Sequence, residues 1–360
     1  MSAAATGGAA LAERARQLAL EVGFDLVGFA RADTPPQLAF FAEWVSRGHA
    51  GEMAYLTSQV AKRSDLRAAF PWARTVLCVA LQYDTPHAYS TEAPAGRGWI
   101  ARYAWGDDYH DVMKAMLERL RLRLAAEAGP FEARGYVDTG PISEKAWAAA
   151  AGLGALGKNT CLLHPEHGSW FFLGELVTDL DLPADEALRD MCGSCTACLD
   201  ACPTQAFPAP YVLDATRCIS YLTIELKDAI PLALREGMGR HVFGCDICQD
   251  VCPWNRKRRQ RGGASFEPRP GAVAPDLAEL AGLDEAAFRE RFRRSPVKRA
   301  KRRGLLRNVA VAIANAGDAR QRPWLERLAA DADLLVAEHA RWALGRLDAR
   351  LSAAAGSSGA

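Results

Sequence analysis

Hydrophobic positions recur along the chain at two periods, and the switches between them divide it. Leu11, Ala15, Leu18 and Val22 share one face of a helical repeat, so residues 11–22 are predicted to form an amphipathic helix. Thr75 to Gln82 is a continuous apolar run downstream of Pro71, the pattern of a strand buried on both faces. Residues 109–128 return to the helical period and stop at Gly129-Pro130. Residues 131–137 then read as a strand that delivers Asp138 to a Thr-Gly-Pro turn. Residues 143–151 read as a helix with a serine start and Gly152 as its stop. Strands interleaved with helices predict an α/β layered unit without specifying strand order. From about Asp276 to Asp348 the pattern is helical throughout. Residues 305–310 and 340–345 read there as paired helices of a HEAT-like repeat, too short to close a core alone and so expected to pack on the rest of the chain. Between these parts, residues 192–254 follow neither period. A basic, glycine-containing linker (residues 256–263, then Pro268, Pro270 and Pro275) separates them from the helical part, and residues 351–360 read as a disordered Ala/Ser/Gly tail.

A length of 360 residues fits two to three domains. Lys+Arg 44 against Asp+Glu 43 excludes a uniformly basic protein but not a local basic patch. Mean hydropathy is −0.11, and apolar stretches such as Val76 to Leu81 fall far short of the ~20 residues that span a bilayer, so no membrane partner is expected. The first ten residues lack a signal-peptide pattern, which predicts a cytoplasmic protein with reduced cysteines. Ten cysteines therefore point to metal or redox chemistry.

Their spacing narrows the choice. Cys192, Cys195, Cys198 and Cys202-Pro203 spell C-x₂-C-x₂-C-x₃-C-P, the two-cluster ferredoxin run in which the fourth cysteine serves the other cluster. Cys245, Cys248 and Cys252-Pro253 form a second group, with Cys218 upstream. Exchanging the last ligands gives a consistent account: Cys192, Cys195, Cys198 and Cys252 hold one [4Fe-4S] cluster, and Cys202, Cys218, Cys245 and Cys248 hold the other. C-x₂-C pairs also bind zinc, but tetrahedral zinc explains the triple run poorly. Cys78 and Cys161 read as small buried hydrophobes.

Three further features carry chemistry. Gly152 to Asn159 nearly spells a phosphate loop, but Asn159 replaces the Mg²⁺-binding hydroxyl and a helix precedes it, so no ATP site is expected. Asp138 is placed either to cap its turn or, if burial raises its pKa, to act as a general acid; neighbouring residues leave both open. Residues 289–307 hold ten Lys/Arg against the single acid Glu290, a patch that favours a phosphate backbone. Arg256 to Arg261 adds a second basic run.

Five stretches resemble epoxyqueuosine reductases: Arg102-Tyr-Ala-Trp-Gly-Asp-Asp-Tyr-His110, Tyr136-Val-Asp-Thr-Gly-Pro141, Gly168-Ser-Trp-Phe-Phe-Leu-Gly-Glu175, Cys218-Ile-Ser-Tyr-Leu-Thr-Ile-Glu225 and Gly244-Cys-Asp-Ile-Cys-Gln-Asp-Val-Cys-Pro-Trp-Asn255. The resemblance implies an α+β / α/β multidomain protein. Residues 1–185 would form an α/β cobalamin-binding catalytic domain and residues 186–262 a ferredoxin-like domain with two [4Fe-4S] clusters. Residues 275–350 would be a HEAT-like repeat that binds tRNA. It implies reduction of epoxyqueuosine to queuosine at the tRNA wobble position, with cobalamin as cofactor and Asp138 as proton donor. Arg63, Ala101, Asp138, Asn159, Leu162, Leu173 and Ser220 fall where the family lines its corrin, and Arg299, Lys301, Arg302 and Arg303 are the expected tRNA contacts. No D-x-H-x-x-G occurs, since Met113 stands where glycine is needed after Asp108-Tyr109-His110, so the cobalt is expected to lack a protein histidine. A reductase, ferredoxin or flavodoxin would supply electrons to a monomer. The alternative is a dehalogenase-like cobalamin reductase of a small molecule, against which the basic patch speaks.

Overall fold

The computed structural model describes residues 3–33, 35–256 and 264–357, and within them eight strands. These are β1 (Leu26–Arg31), β2 (Thr75–Gln82), β3 (Trp99–Ile100), β4 (Ala133–Tyr136), β5 (Ala155–Leu156), β6 (Leu162–Leu163), β7 (Phe171–Thr178) and β8 (His241–Phe243). Every residue of β2 is buried, so that strand needs neighbours on both edges and cover on both faces. It has them: the main sheet runs β1-β2-β7-β4, and all three pairings are antiparallel. The leading unit is therefore α+β, not a parallel α/β layer. Arg31 ends β1 opposite Thr75, the start of β2, so the helices between them return the chain to the sheet edge it left.

Alternate residues of each strand serve opposite faces. Leu77 and Val79 join a core with Leu18 of the Ala3–Val22 helix and Leu120 of the Tyr109–Ala128 helix. Val76 and Cys78 join another with Trp147 of the Glu144–Ala150 helix. The 109–128 helix matches its predicted bounds, and Gly129 ends it in a positive-φ conformation (78°) that favours glycine.

The helical C-terminal part packs on the rest of the chain as its pattern predicts. Leu305, Leu306, Val309 and Ile313 of the Lys301–Ala316 helix share a core with Ile100, Trp105, Val242 and Phe243. Arg307 sits inside this junction at 1% exposure, donating to the carbonyls of Leu222, Leu226 and Asp228. It must be removed from the basic surface counted in the sequence. The last helix runs from Leu334 to Ser357, so most of the tail expected to be disordered is helical. Its alanines are strong helix formers. The basic residues 257–261 lie outside the described residues. No described helix is long and apolar enough to cross a membrane.

Candidate functional site

Two cavities lie along the cysteine segment. Cys192, Cys195, Cys198 and Cys252 line one of about 230 Å³, with Met191 and Trp254. Cys202, Cys218, Cys245 and Cys248 line the other, about 250 Å³, with Cys161. Each C-x₂-C turn runs into a single helical turn, Ala197–Asp200 or Ile247–Asp250. The last cysteine of each run then faces the opposite cavity. Among the described residues no three Cys, His, Asp or Glu side chains converge on a single-ion site. Each set instead surrounds a volume, the donor geometry a polynuclear cluster requires. The glycine-rich stretch that resembles a phosphate loop serves this region: Lys158 Nζ donates to the carbonyls of Gly193 (2.7 Å) and Cys195 (3.0 Å). Cys161 is more than core filler, because its thiol lies within hydrogen-bonding reach of Cys248.

The second cysteine cavity adjoins a groove of about 870 Å³, Lys145 and Ser220 lining both. A further depression of about 400 Å³, walled by Phe40, Phe41, Trp44 and Leu213, meets this groove at Tyr55, Asp138, Glu144 and Lys145. Asp138 stands at the junction with φ 58°, in the left-handed region. Its Oδ2 accepts from the Tyr109 hydroxyl (3.0 Å) and lies 3.4 Å from His110 Nε2. His110 Nδ1 meets Asp108 Oδ1 at 2.8 Å, and Lys298 Nζ meets Asp108 Oδ2 at 2.8 Å. Asp108 is also the N-cap of the Tyr109–Ala128 helix, so the residue that starts the helix orients the imidazole on its first turn.

The charges follow from this chain. Burial acts to lower the pKa of His110, but hydrogen bonds to Asp108 and Asp138 outweigh it and lift it to about 9. Asp108 falls well below the usual carboxylate range through His110 and Lys298. Of the two possibilities left open for Asp138, a raised pKa does not hold: desolvation pushes it up, but His110 and Tyr109 together hold it below its ordinary value. The proton is stored on the imidazole.

The predicted cofactor residues separate into groups. Asp138, Leu173 and Ser220 line the groove, and Arg63 lines the adjoining depression. Arg63 is itself buried, donating to the carbonyls of Gly140 (2.8 Å) and Ile142 (2.7 Å), so it shapes the Asp138 loop. Ala101 and Leu162 are at most 3% exposed, and their apolar side chains face the interior, not the groove. Asn159 lies between the two cysteine cavities, donating to the Cys248 carbonyl (3.2 Å) and accepting from the Cys161 N–H. Tyr109, His110, Asp108, Lys298 and Glu144 were missed as a group. Asp108, Tyr109 and His110 fall within a stretch shared with the family and Lys298 within the basic run, but neither pattern shows that they converge on Asp138.

The four expected tRNA contacts also differ among themselves. Lys301, Arg302 and Arg303 line a basic depression of about 680 Å³ with Arg289, Arg293 and Arg294. Arg302 is paired with Asp331 (2.6 Å) and Arg303 with Asp333 (3.0 Å), whereas Lys301 is exposed. Arg299 belongs to the groove, bound to Glu225 (2.7 Å) and lying over the Tyr55 ring.

Two adjacent four-cysteine cavities, the inner one opening onto an acid-bearing groove, define an iron–sulfur oxidoreductase. Residues 191–255 match the 4Fe-4S double cluster binding domain, and residues 63–139 match the family model described as epoxyqueuosine reductase QueG. An epoxyqueuosine reductase of Pseudomonas aeruginosa is 44% identical over 345 residues, 94% of this chain and 95% of its own. One of Synechocystis is 45% identical over 268 residues, 74% of this chain and 91% of its own. A solved epoxyqueuosine reductase carrying an epoxyqueuosine-modified tRNA-Tyr stem loop superposes with a TM-score of 0.83 at 33% identity, covering 94% of this chain and 90% of that one. A Bacillus subtilis structure, described as having its catalytic loop swung out of the active site, superposes at 0.82 with 32% identity and the same coverage. The chain belongs to the epoxyqueuosine reductase family.

Proposed function

We propose that this chain reduces epoxyqueuosine to queuosine at the wobble position of tRNA, taking a proton from the Asp138 junction. The observation that carries the reading is the placement of the Asp138–His110–Asp108 chain in a groove that shares Lys145 and Ser220 with the inner cysteine cavity. The residues fit the groups the family uses. Cys192, Cys195, Cys198 and Cys252 would hold one [4Fe-4S] cluster, and Cys202, Cys218, Cys245 and Cys248 the other. The groove is large and lined by Phe171, Phe172 and Leu173, as a flat macrocycle requires, so these residues with Ser220 would hold cobalamin. When bound, these groups supply the reducing electrons, the clusters one at a time.

Turning an epoxide into an alkene breaks two C–O bonds and releases the oxygen as water, consuming two electrons and two protons. The chain's own contribution is the proton path. His110 holds a proton on Nε2 against Asp138 Oδ2, and Asp108 fixes the ring through Nδ1. Asp138 delivers that proton to the departing oxygen, because expelling an unprotonated oxyanion is costly. The loop around Asp138 corresponds, in this reading, to the catalytic loop described for the Bacillus subtilis relative.

Residues 1–185 act as the catalytic cobalamin domain, 186–262 as the ferredoxin-like domain and 275–350 as a HEAT-like tRNA-binding repeat. The protein works in the cytoplasm as a monomer that receives electrons from a reductase, ferredoxin or flavodoxin. The test is Asp138→Asn in anaerobically reconstituted protein, followed by nucleoside mass spectrometry of epoxyqueuosine-containing tRNA. Turnover should fall at least ~10²-fold with cobalamin, iron and tRNA binding retained. Normal turnover in that variant would remove Asp138 from the proton path.

A further inference from the structure

β7 carries a carboxyl group in the fully buried centre of the sheet. Glu175 is 0% exposed and pairs in register with Cys78 on β2 and Tyr136 on β4. Among the described residues, neither of its oxygens receives a hydrogen bond from an N–H or O–H donor. The polar group within reach is another acid, Glu144, the first residue of the Glu144–Ala150 helix. Two carboxylates cannot hydrogen-bond each other, so a bond between these side chains requires a proton on one of them. Burial pushes both above the ordinary carboxylate range, helped by the charge of Asp138 on each and of Glu144 on Glu175; the Asp138 N–H, His110 and Lys145 act on Glu144 in the opposite sense without reversing it.

The pair is connected to the proton path through the backbone. Glu144 Oε1 accepts the backbone N–H of Asp138, the residue held at positive φ. A non-glycine residue in that conformation persists only where its surroundings hold it. Two groups do so here: Arg63 grips the carbonyls of Gly140 and Ile142, and Glu144 grips the amide of Asp138. Behind Glu144 lies Glu175, whose buried oxygens have no other donor among the described residues, so a proton shared with Glu144 is what satisfies them.

We infer that Glu144 and Glu175 are positioning residues, a carboxyl pair sharing one proton that latches the Asp138 loop with its side chain turned into the groove. The consequence for catalysis rests on Asp138 acting there, as proposed above; the latch itself does not. Glutamine at 175 can donate an N–H to Glu144 and replace the shared proton, whereas leucine cannot.

The experiment is amide hydrogen exchange across residues 136–144 in the full-length, cluster-loaded protein, with iron content and melting temperature as controls. Glu175→Leu should raise exchange of that segment at least ~10-fold and lower kcat by a similar factor, leaving KM for tRNA within about 2-fold. Glu175→Gln should recover both protection and kcat. Should Glu175→Leu fail to fold, Glu144→Ala, at a half-buried position, should raise exchange in the same segment. Wild-type protection in whichever of Glu175→Leu and Glu144→Ala folds would overturn the latch. So would equal loss in Glu175→Gln and Glu175→Leu. Raised exchange with unchanged kcat would uphold the latch and count instead against Asp138 as the acid.

Discussion

The cysteine cavities and the Asp138 groove share Lys145 and Ser220, yet they are built in opposite ways. The cavities draw the eight thiols assigned to clusters from one segment, residues 192–252, and single helical turns set the spacing of the C-x₂-C pairs. The groove gathers Tyr55, His110, Asp138, Leu173, Ser220 and Arg299 from segments scattered over most of the chain. Its electrostatics differ too. The cavities present donors that must lose protons to bind metal, whereas the groove keeps a proton on His110 to about pH 9. One region is a local motif and the other a product of tertiary folding.

The largest effect that could break this contrast lies in the cysteine cavities. Reconstituted protein should hold close to eight iron and eight sulfide per chain, two four-iron clusters being about that many. Cys192→Ala and Cys245→Ala should each lose a different cluster by electron paramagnetic resonance, and each should abolish turnover. Loss of the same signal in both variants would refute the interleaved partition.

What could be read in advance follows the same division. That the thiols fall into two sets of four around two cavities was legible because ligand spacing is a local property. β2 and the 109–128 helix were legible because one is uniformly apolar and the other ends at Gly129. The antiparallel order was not, since it depends on where the chain returns between Arg31 and Thr75. Leu162 and Ala101 are placed at the corrin lining by motif position; their side chains are buried, which leaves their backbone as the part that could meet a ligand. The protonation of Asp138 stayed open in the sequence for a related reason. Burial alone argues for a raised pKa, but His110 and Tyr109 reach it from a helix nearly thirty residues earlier and reverse the sign.

That reversal supplies the next test, of intermediate size. His110→Gln should keep the groove's shape while removing the stored proton, lowering turnover about 10-fold, less than losing the acid itself. The pH profile is more telling. His110 is raised from 6.5 to about 9, so its ion pair with Asp108 stabilises fully below pH 6.5 and that stability is lost as pH rises through about 9. Wild-type turnover should therefore hold through neutrality and fall near pH 9, and His110→Gln should lack that alkaline limb. Loss of activity across the acid-to-neutral range in the wild type would place the working proton on Asp138 alone.

The smallest effect separates residues that the charge run treats as equals. Lys301 is exposed in the basic depression, whereas Arg302 is committed to Asp331 at 2.6 Å and to the Leu283 carbonyl at 2.9 Å. A phosphate contact releases counterions, so each one lost should flatten the slope of log affinity against log salt by about 0.7–0.9. Lys301→Gln should show that change, with a several-fold weaker tRNA complex and an unaltered melting temperature. Arg302→Gln should leave the salt slope near the wild-type value and lower the melting temperature, because it strands Asp331 and the end of the neighbouring helix. The two measurements distinguish a cation available to a backbone phosphate from one already used by the fold. Equal salt slopes in both variants, matching the wild type, would move the tRNA surface away from this depression and toward Arg299 and the rim of the groove.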